Sequence, residues 1–281
     1  MGPPFISYPR SNNIAISVYR HDTPLIDRFQ PSSAAGSTLD LCAGTWLLGS
    51  TITVDKELTL VGAEAGKTVL DGQGAVRVQL RDLTITRGNA ESGSPGSGNT
   101  GGGTRNEGIL TLTGVAIAGN TAASLGGGIF TAGTMTLGAG SQITGNTATD
   151  FGGGIHTNGI VTLQAGSQVM GNTAGGGGGG ISNLEGTVTL QDGSRVEGNT
   201  AEKGGGIYND EGGTVTLQDR SRVTGNTATN DGGGIYNLDT VTVGPQALVC
   251  DNTQPSGGLQ CVNELIITGD CPNPTSGSCP P

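Results

Sequence analysis

A tripeptide, Gly-Asn-Thr, returns along this chain at a nearly constant interval, and that regularity constrains the fold more than any other feature. Its asparagines are Asn120, Asn146, Asn172, Asn199 and Asn226, and a degenerate copy sets Asn252 behind Asp251, so successive copies lie 26 or 27 residues apart. A second mark, Gly-Gly-Gly-Ile, ends at Ile129, Ile155, Ile181, Ile207 and Ile235. A third is a short run ending at Leu112, Leu137, Leu163, Leu190, Leu217 and Val243. A fourth places Ile117, Ile143, Val169, Val196, Val223 and Val249 three residues ahead of each Asn. Marks that keep step in this way identify a stacked repeat.

One copy shows what is being repeated. Gly206-Ile207-Tyr208-Asn209, Thr214-Val215-Thr216-Leu217 and Ser221-Arg222-Val223 alternate apolar and polar residues as half-buried strands do. Gly, Asn, Asp and Thr separate them, the residue types that make turns. Composition closes off the rivals. With 54 Gly in 281 residues a helix bundle is excluded, since Gly costs about 1 kcal/mol per helix position, and the Gly spacing is not that of collagen. A unit of 26 residues cannot bury its own apolar face, whereas stacked copies cover one another. The expectation is an all-β, three-faced parallel β-helix, a solenoid of about 26 residues per coil.

Gly-Gly-Gly-Ile followed by Gly-Asn-Thr-Ala resembles the repeat of parallel β-helix proteins, over roughly Thr38 to Gly269. It is similar to the Gly-Gly-Ala-Ile repeats of chlamydial polymorphic outer-membrane proteins and to pectate-lyase-like surface proteins. The resemblance implies a right-handed helix, an extracellular or cell-surface location, and a structural or adhesive role. The membrane barrel that ordinarily follows such passengers is not among these residues, so attachment through one is not expected from this stretch. The domain reading is an N-terminal extension over 1–35, disordered or docking, and a β-helix over 36–269. Its coils are irregular to about 103, with 91–103 a Gly/Ser-rich insertion, and a Cys/Pro-rich tail covers 270–281.

Charge and cysteine bound the setting. A net charge of −10 with only 13 Lys and Arg argues against nucleic acid as a partner. No apolar run is long enough to be a membrane span, and residues 1–30 lack the apolar core of a secretory signal. Cys42 stands apart from Cys250, Cys261, Cys271 and Cys279, and no Cys-x-x-Cys pair suggests a metal. A disulfide-stapled end-cap in an oxidising compartment fits this spacing, with at least one of the five thiols left over. Without a cap, an open solenoid end invites end-to-end self-association.

The candidate sites divide into decoys and columns. Gly62 to Thr68 imitates a phosphate loop but has one residue too few between its glycines, and Val69-Leu70-Asp71 reads as a strand rather than a helix. The repeated Asn120, Asn146, Asn172, Asn199, Asn226 and Asn252 read as a structural ladder, each amide donating to one neighbour and accepting from the other. The position after each Gly-Gly-Gly-Ile holds Phe130, His156, Ser182, Tyr208 and Tyr236, so aromatics align on one face. Glu185, Glu211 and Asp239 run beside it as an acidic column that invites a cation such as Ca²⁺. Rings beside carboxylates suit sugars, against the simpler expectation of cross-strand stacking.

A further column contains Thr84, Thr111, Thr136, Thr162, Thr189, Thr216 and Thr242, with Thr134, Thr187, Thr214 and Thr240 two residues earlier and Ile109 and Ile160 interrupting. Such an array resembles the ice-binding face of some antifreeze proteins, although Thr belongs on any exposed strand. Asp192 and Asp219 are expected to pair with Arg195 and Arg222 on adjacent coils. No catalytic constellation breaks the repeat. The sequence therefore favours a secreted or surface β-helix with a structural or adhesive, non-enzymatic role, its partner a polysaccharide or a surface protein. Alternatives are a carbohydrate-binding or polysaccharide lyase-like or hydrolase-like protein, and an ice-binding protein.

Overall fold

The structure, a computed structural model, describes residues 83–90 and 99–255. Outside them it describes strands Tyr19–Arg20, Thr23–Pro24, Ser37–Leu41, Gly44–Leu47, Leu58–Gly62, Thr68–Asp71, Arg77–Arg81, Cys261–Asn263 and Ile266–Thr268. Every element is a strand, and the chain winds as a parallel β-solenoid of stacked coils. One coil consists of Ile207–Asn209, Thr214–Leu217, Arg222–Thr224 and Thr227–Asp231, and each strand pairs in parallel with its counterpart one coil on. These four positions define a first, second, third and fourth sheet.

Three strands per coil are those the sequence marks. The fourth is added by the structure: Thr-Ala pairs such as Thr121–Ala122 and Thr147–Ala148, directly after each ladder asparagine, stack as a sheet of their own. Two residues are too short to show an alternation, which is why only the tertiary stack makes them strands.

Apolar side chains point inward from every sheet and repeat column by column. Ile129, Ile155, Ile181, Ile207 and Ile235 come from the first; Leu137, Leu163, Leu190 and Leu217 from the second; Ile143, Val169, Val196 and Val223 from the third. All are essentially inaccessible to solvent, and each coil covers the apolar surface that its neighbour would otherwise expose. The fourth sheet contributes only Ala122, Ala148, Ala174, Ala201 and Ala228. Here the coil is narrow, because its backbone runs against the Gly-Gly-Gly corner.

That corner explains the triplet. Its first glycine has a left-handed backbone, φ 58 to 69° at Gly126, Gly152, Gly178, Gly204 and Gly232. A Cβ on the second, at Gly153, Gly179 or Gly205, would lie 2.4 Å from the carbonyl oxygen of the threonine that opens a fourth-sheet strand. A Cβ on the third, at Gly154, would come within 3.0 Å of the Asn172 amide nitrogen. The three glycines thus answer to a backbone turn, a backbone approach and the asparagine ladder.

Toward the N-terminus, Ser37–Leu41, Leu58–Gly62 and Leu83–Thr86 continue the third sheet in parallel register, and Arg77–Arg81 continues the second. Tyr19–Arg20 pairs antiparallel with Thr23–Pro24 and with Leu47. Thr68–Asp71 is a strand, which leaves the phosphate-loop imitation without the helix it would need. Residues 1–18, 91–98 and 270–281, with Cys42, lie outside the described residues, as do the side chain of Cys261 and the centre of that loop, 63–67.

Candidate functional site

The six predicted ladder residues form one line of hydrogen bonds. The Asn146 side chain donates from Nδ2 to Oδ1 of Asn172 at 2.9 Å and to the carbonyl of Ile117 at 2.9 Å. The Asn146 backbone N–H donates to the same Oδ1 of Asn172 at 2.9 Å. The pattern repeats from Asn120 through Asn172, Asn199 and Asn226 to Asn252. The glycine before each rung supplies the left-handed turn, φ 64° at Gly225, and Asp251 adopts φ 55° in the degenerate copy. The line begins where a side chain is missing: Gly88 occupies the next rung position, and its N–H donates to Oδ1 of Asn120 at 2.8 Å. With its side-chain amide hydrogens and oxygen engaged, the ladder serves the fold.

A second ladder escaped the sequence reading. On the first sheet the third residue of each strand falls in register as Asn106, Thr131, Thr157, Asn183, Asn209, Asn237 and Asn263. Asn183 donates to Asn209, and Asn209 to Asn237, each at 2.7 Å. Thr131 accepts from Asn106 at 2.9 Å, but Thr157 has no amide to offer the next coil, and the buried Oδ1 of Asn183 has no partner. The recurrence of Asn183, Asn209 and Asn237 after Ile-x was the available signal.

The aromatic column is in register as expected. Phe130 stacks on His156 with centroids 5.6 Å apart, and Tyr208 stacks on Tyr236 at 5.3 Å with an interplanar angle of 8°. The column is not a bare platform, because residues from across the glycine corner cover part of it. The coil between the two stacks has small residues at both facing positions, Gly177 and Ser182. Phe151 from the coil before and Tyr208 from the coil after meet over them at 5.5 Å. A Cβ on Gly177 would be 2.7 Å from the Tyr208 ring. Arg105 lies over Phe130 and Lys203 over Tyr236, each 5.0 Å from the ring centroid.

This cover sets the chemistry. His156 is 4 % exposed, burial pushes its pKa down to about 4, and its Nδ1 has no hydrogen-bond partner. It is a neutral, ring-stacked side chain at physiological pH. Tyr208 is half-buried, and burial, followed by Asp210, Tyr236 and Glu211, raises its phenol to about 12.

The acidic column does not stack as a column. The turn joining the first to the second sheet holds three residues at Glu185, four at Glu211 and two at Asp239, so the carboxylates are not equivalent. Glu185 takes a left-handed backbone at φ 60°. Asp239 accepts from the Gly212 N–H at 2.7 Å and the Thr240 hydroxyl at 2.8 Å, which ties two turns together. Among the described residues no three His, Cys, Asp or Glu side chains are grouped to hold a metal ion.

The threonine array is in register on the second sheet, Thr134–Ile160–Thr187–Thr214–Thr240 beside Thr136–Thr162–Thr189–Thr216–Thr242, with Ile160 51 % exposed. Thr84 belongs elsewhere: it pairs with Ala116 on the third sheet, and Gln79 takes the place in this column. The ion pairs also differ from expectation. Arg220, not Arg222, grips Asp192, through Nε at 2.6 Å and through its Nη2, and Arg195 meets Glu197 of its own strand at 3.6 Å. Arg195 and Arg222 are instead neighbours in register.

The repeat of the Chlamydia polymorphic membrane protein family matches residues 221–238. That segment contains the Asn226 rung, its fourth-sheet strand and the Gly232–Gly233–Gly234 corner that follows it. No curated protein and no solved structure matches the chain. Among the described residues no helix is long and apolar enough to cross a membrane.

Proposed function

We propose that the chain is a secreted or cell-surface β-solenoid with a structural or adhesive, non-enzymatic role, offering the sides of its stacked coils to partners. The observation that carries this reading is the match to a membrane-protein repeat over the segment that forms a ladder rung and the glycine corner after it. The residues that recur most strictly are consumed by hydrogen bonding inside the coil. What varies from coil to coil, and can therefore recognise something, is the outer face and the turns. A disulfide-stapled C-terminal end belongs to the same proposal. Cys250 is 2 % exposed, and a disulfide there would suit an oxidising compartment.

The test is labelling of intact producing cells with an antibody to the chain and a membrane-impermeant amine reagent, followed by adhesion of beads coated with the purified protein. Surface labelling with bead adhesion supports the proposal. Labelling only after permeabilisation contradicts it.

A further inference from the structure

The rings of Phe151, Tyr208 and Tyr236 follow one another outside the first sheet, with centroids 5.5 and 5.3 Å apart; Tyr236 is buried, so the accessible part is the pair Phe151 and Tyr208, each half-buried. Two features indicate the partner's chemistry. The first is charge: Asp210 and Glu211 open the turn directly after the Tyr208 strand, Ile207–Asn209, and Asp231 is the register neighbour of Lys203 at the end of this row of rings. The second is how the fold treats equivalent rings. It lays its own cations on the two ends of the column, Arg105 over Phe130 and Lys203 over Tyr236. Phe151 and Tyr208, in the middle, have no such cation among the described residues. An aromatic face beside two carboxylates, on a chain of net charge −10, favours a cation over an anion or a neutral surface.

We propose that the outer face of the Phe151–Tyr208 pair docks a basic peptide segment of a partner protein, one lysine or arginine side chain lying on the rings and pairing with Asp210 and Glu211. The inference deepens the adhesive reading and rests on it for the partner's access to this face. The small pair Gly177 and Ser182 is what lets the two rings close over one coil, so this ring pair is specific to that place in the stack.

The experiment is calorimetric titration of the full chain with a seven-residue peptide alternating Gly and Arg, beside a Gly–Glu peptide and a neutral oligosaccharide. Tyr208→Leu keeps apolar bulk and removes the ring face; Asp210→Asn with Glu211→Gln removes charge at nearly constant volume. The basic peptide should bind, with each change weakening it about five- to tenfold, the range expected for one cation–π contact or two surface pairs. Asp192→Asn with Asp219→Asn, an equal charge change on another turn, should leave binding nearly unaltered. Circular dichroism confirms the fold of each variant.

Equal loss in the remote pair would reduce the effect to net charge and overturn the site. So would absence of peptide binding, or oligosaccharide binding that Tyr208→Leu abolishes, which would assign the rings to sugar. Because the titration is indifferent to location, peptide binding without surface labelling of cells would leave this site standing and defeat the adhesive reading instead.

Discussion

The two asparagine ladders use the same residue for the same purpose and differ in continuity. Along the Gly-Asn-Thr turn the line runs from Asn120 to Asn252 without a gap, and each oxygen takes both a side-chain and a backbone donor from the preceding coil. Along the first sheet the line is interrupted at Thr131 and Thr157, and Asn183 is left with an unsatisfied buried oxygen. The difference follows from what each turn needs. Behind a rung of the first ladder lie a left-handed glycine and a backbone N–H with no other acceptor, so only Asn fits. At the Ile-x-Asn position a Thr hydroxyl can satisfy the local N–H, as Thr157 does for Gly159 at 3.0 Å, and substitution is tolerated. Continuity therefore measures how many backbone groups depend on the amide.

That comparison can be broken most forcefully at the centre of the unbroken line. Asn172→Leu leaves the Asn146 backbone N–H without its acceptor, takes one of two acceptors from the Asn146 side-chain amide and removes the side-chain donor to the Ile143 carbonyl. At about 1–3 kcal/mol for each buried group left unpaired, the loss should reach about 4 kcal/mol in denaturant unfolding. A loss below about 1 kcal/mol would mean that the first ladder is no more necessary than the second.

The next effect is a pH dependence set by what covers the first sheet. His156 has a folded pKa of about 4 against an ordinary 6.5, so between these values the unfolded chain binds the proton and the folded chain does not. Its contribution is complete above pH 6.5 and falls as pH drops toward 4, by about 3 kcal/mol in all. His156→Phe should remove that slope in unfolding measured against pH; an unchanged slope would place the titration elsewhere.

Smaller changes probe the interrupted ladder. Asn209→Thr imitates the natural break at 157, removes the donors to Asn237 and Gly213, and should cost about 1–2 kcal/mol, well below the Asn172 change. Thr157→Asn is expected to stabilise by up to about 1 kcal/mol, by giving Asn183 Oδ1 its missing donor. Its two-residue turn already accommodates Asn at Asn106 and Asn237. A raised thermal midpoint checks this, and a lowered one would mean that the gap reflects packing.

The pattern of what was legible follows from spacing. Constant intervals revealed the coil, the first ladder and the in-register rings, because a parallel stack turns equal spacing into direct contact. The Thr-Ala strands were hidden by their length. The acidic column dissolved because three, four and two residues fill the same turn at Glu185, Glu211 and Asp239, and sequence offset then no longer reports position. Thr84 was misassigned where Arg77–Arg81 and Leu83–Thr86 nearly abut and the regular count fails. Phe151 and Lys203 reach the aromatic face from across the glycine corner, a closure that strand alternation does not encode.

Amide hydrogen exchange resolved by residue tests the ladder account most directly. The backbone N–H groups of Asn146, Asn172 and Asn199, bonded to the side chain one coil on, should exchange only with global unfolding. Exchange of these amides at the rate of exposed turns such as Ala165 would show that the side chains do not hold them, and would contradict the account.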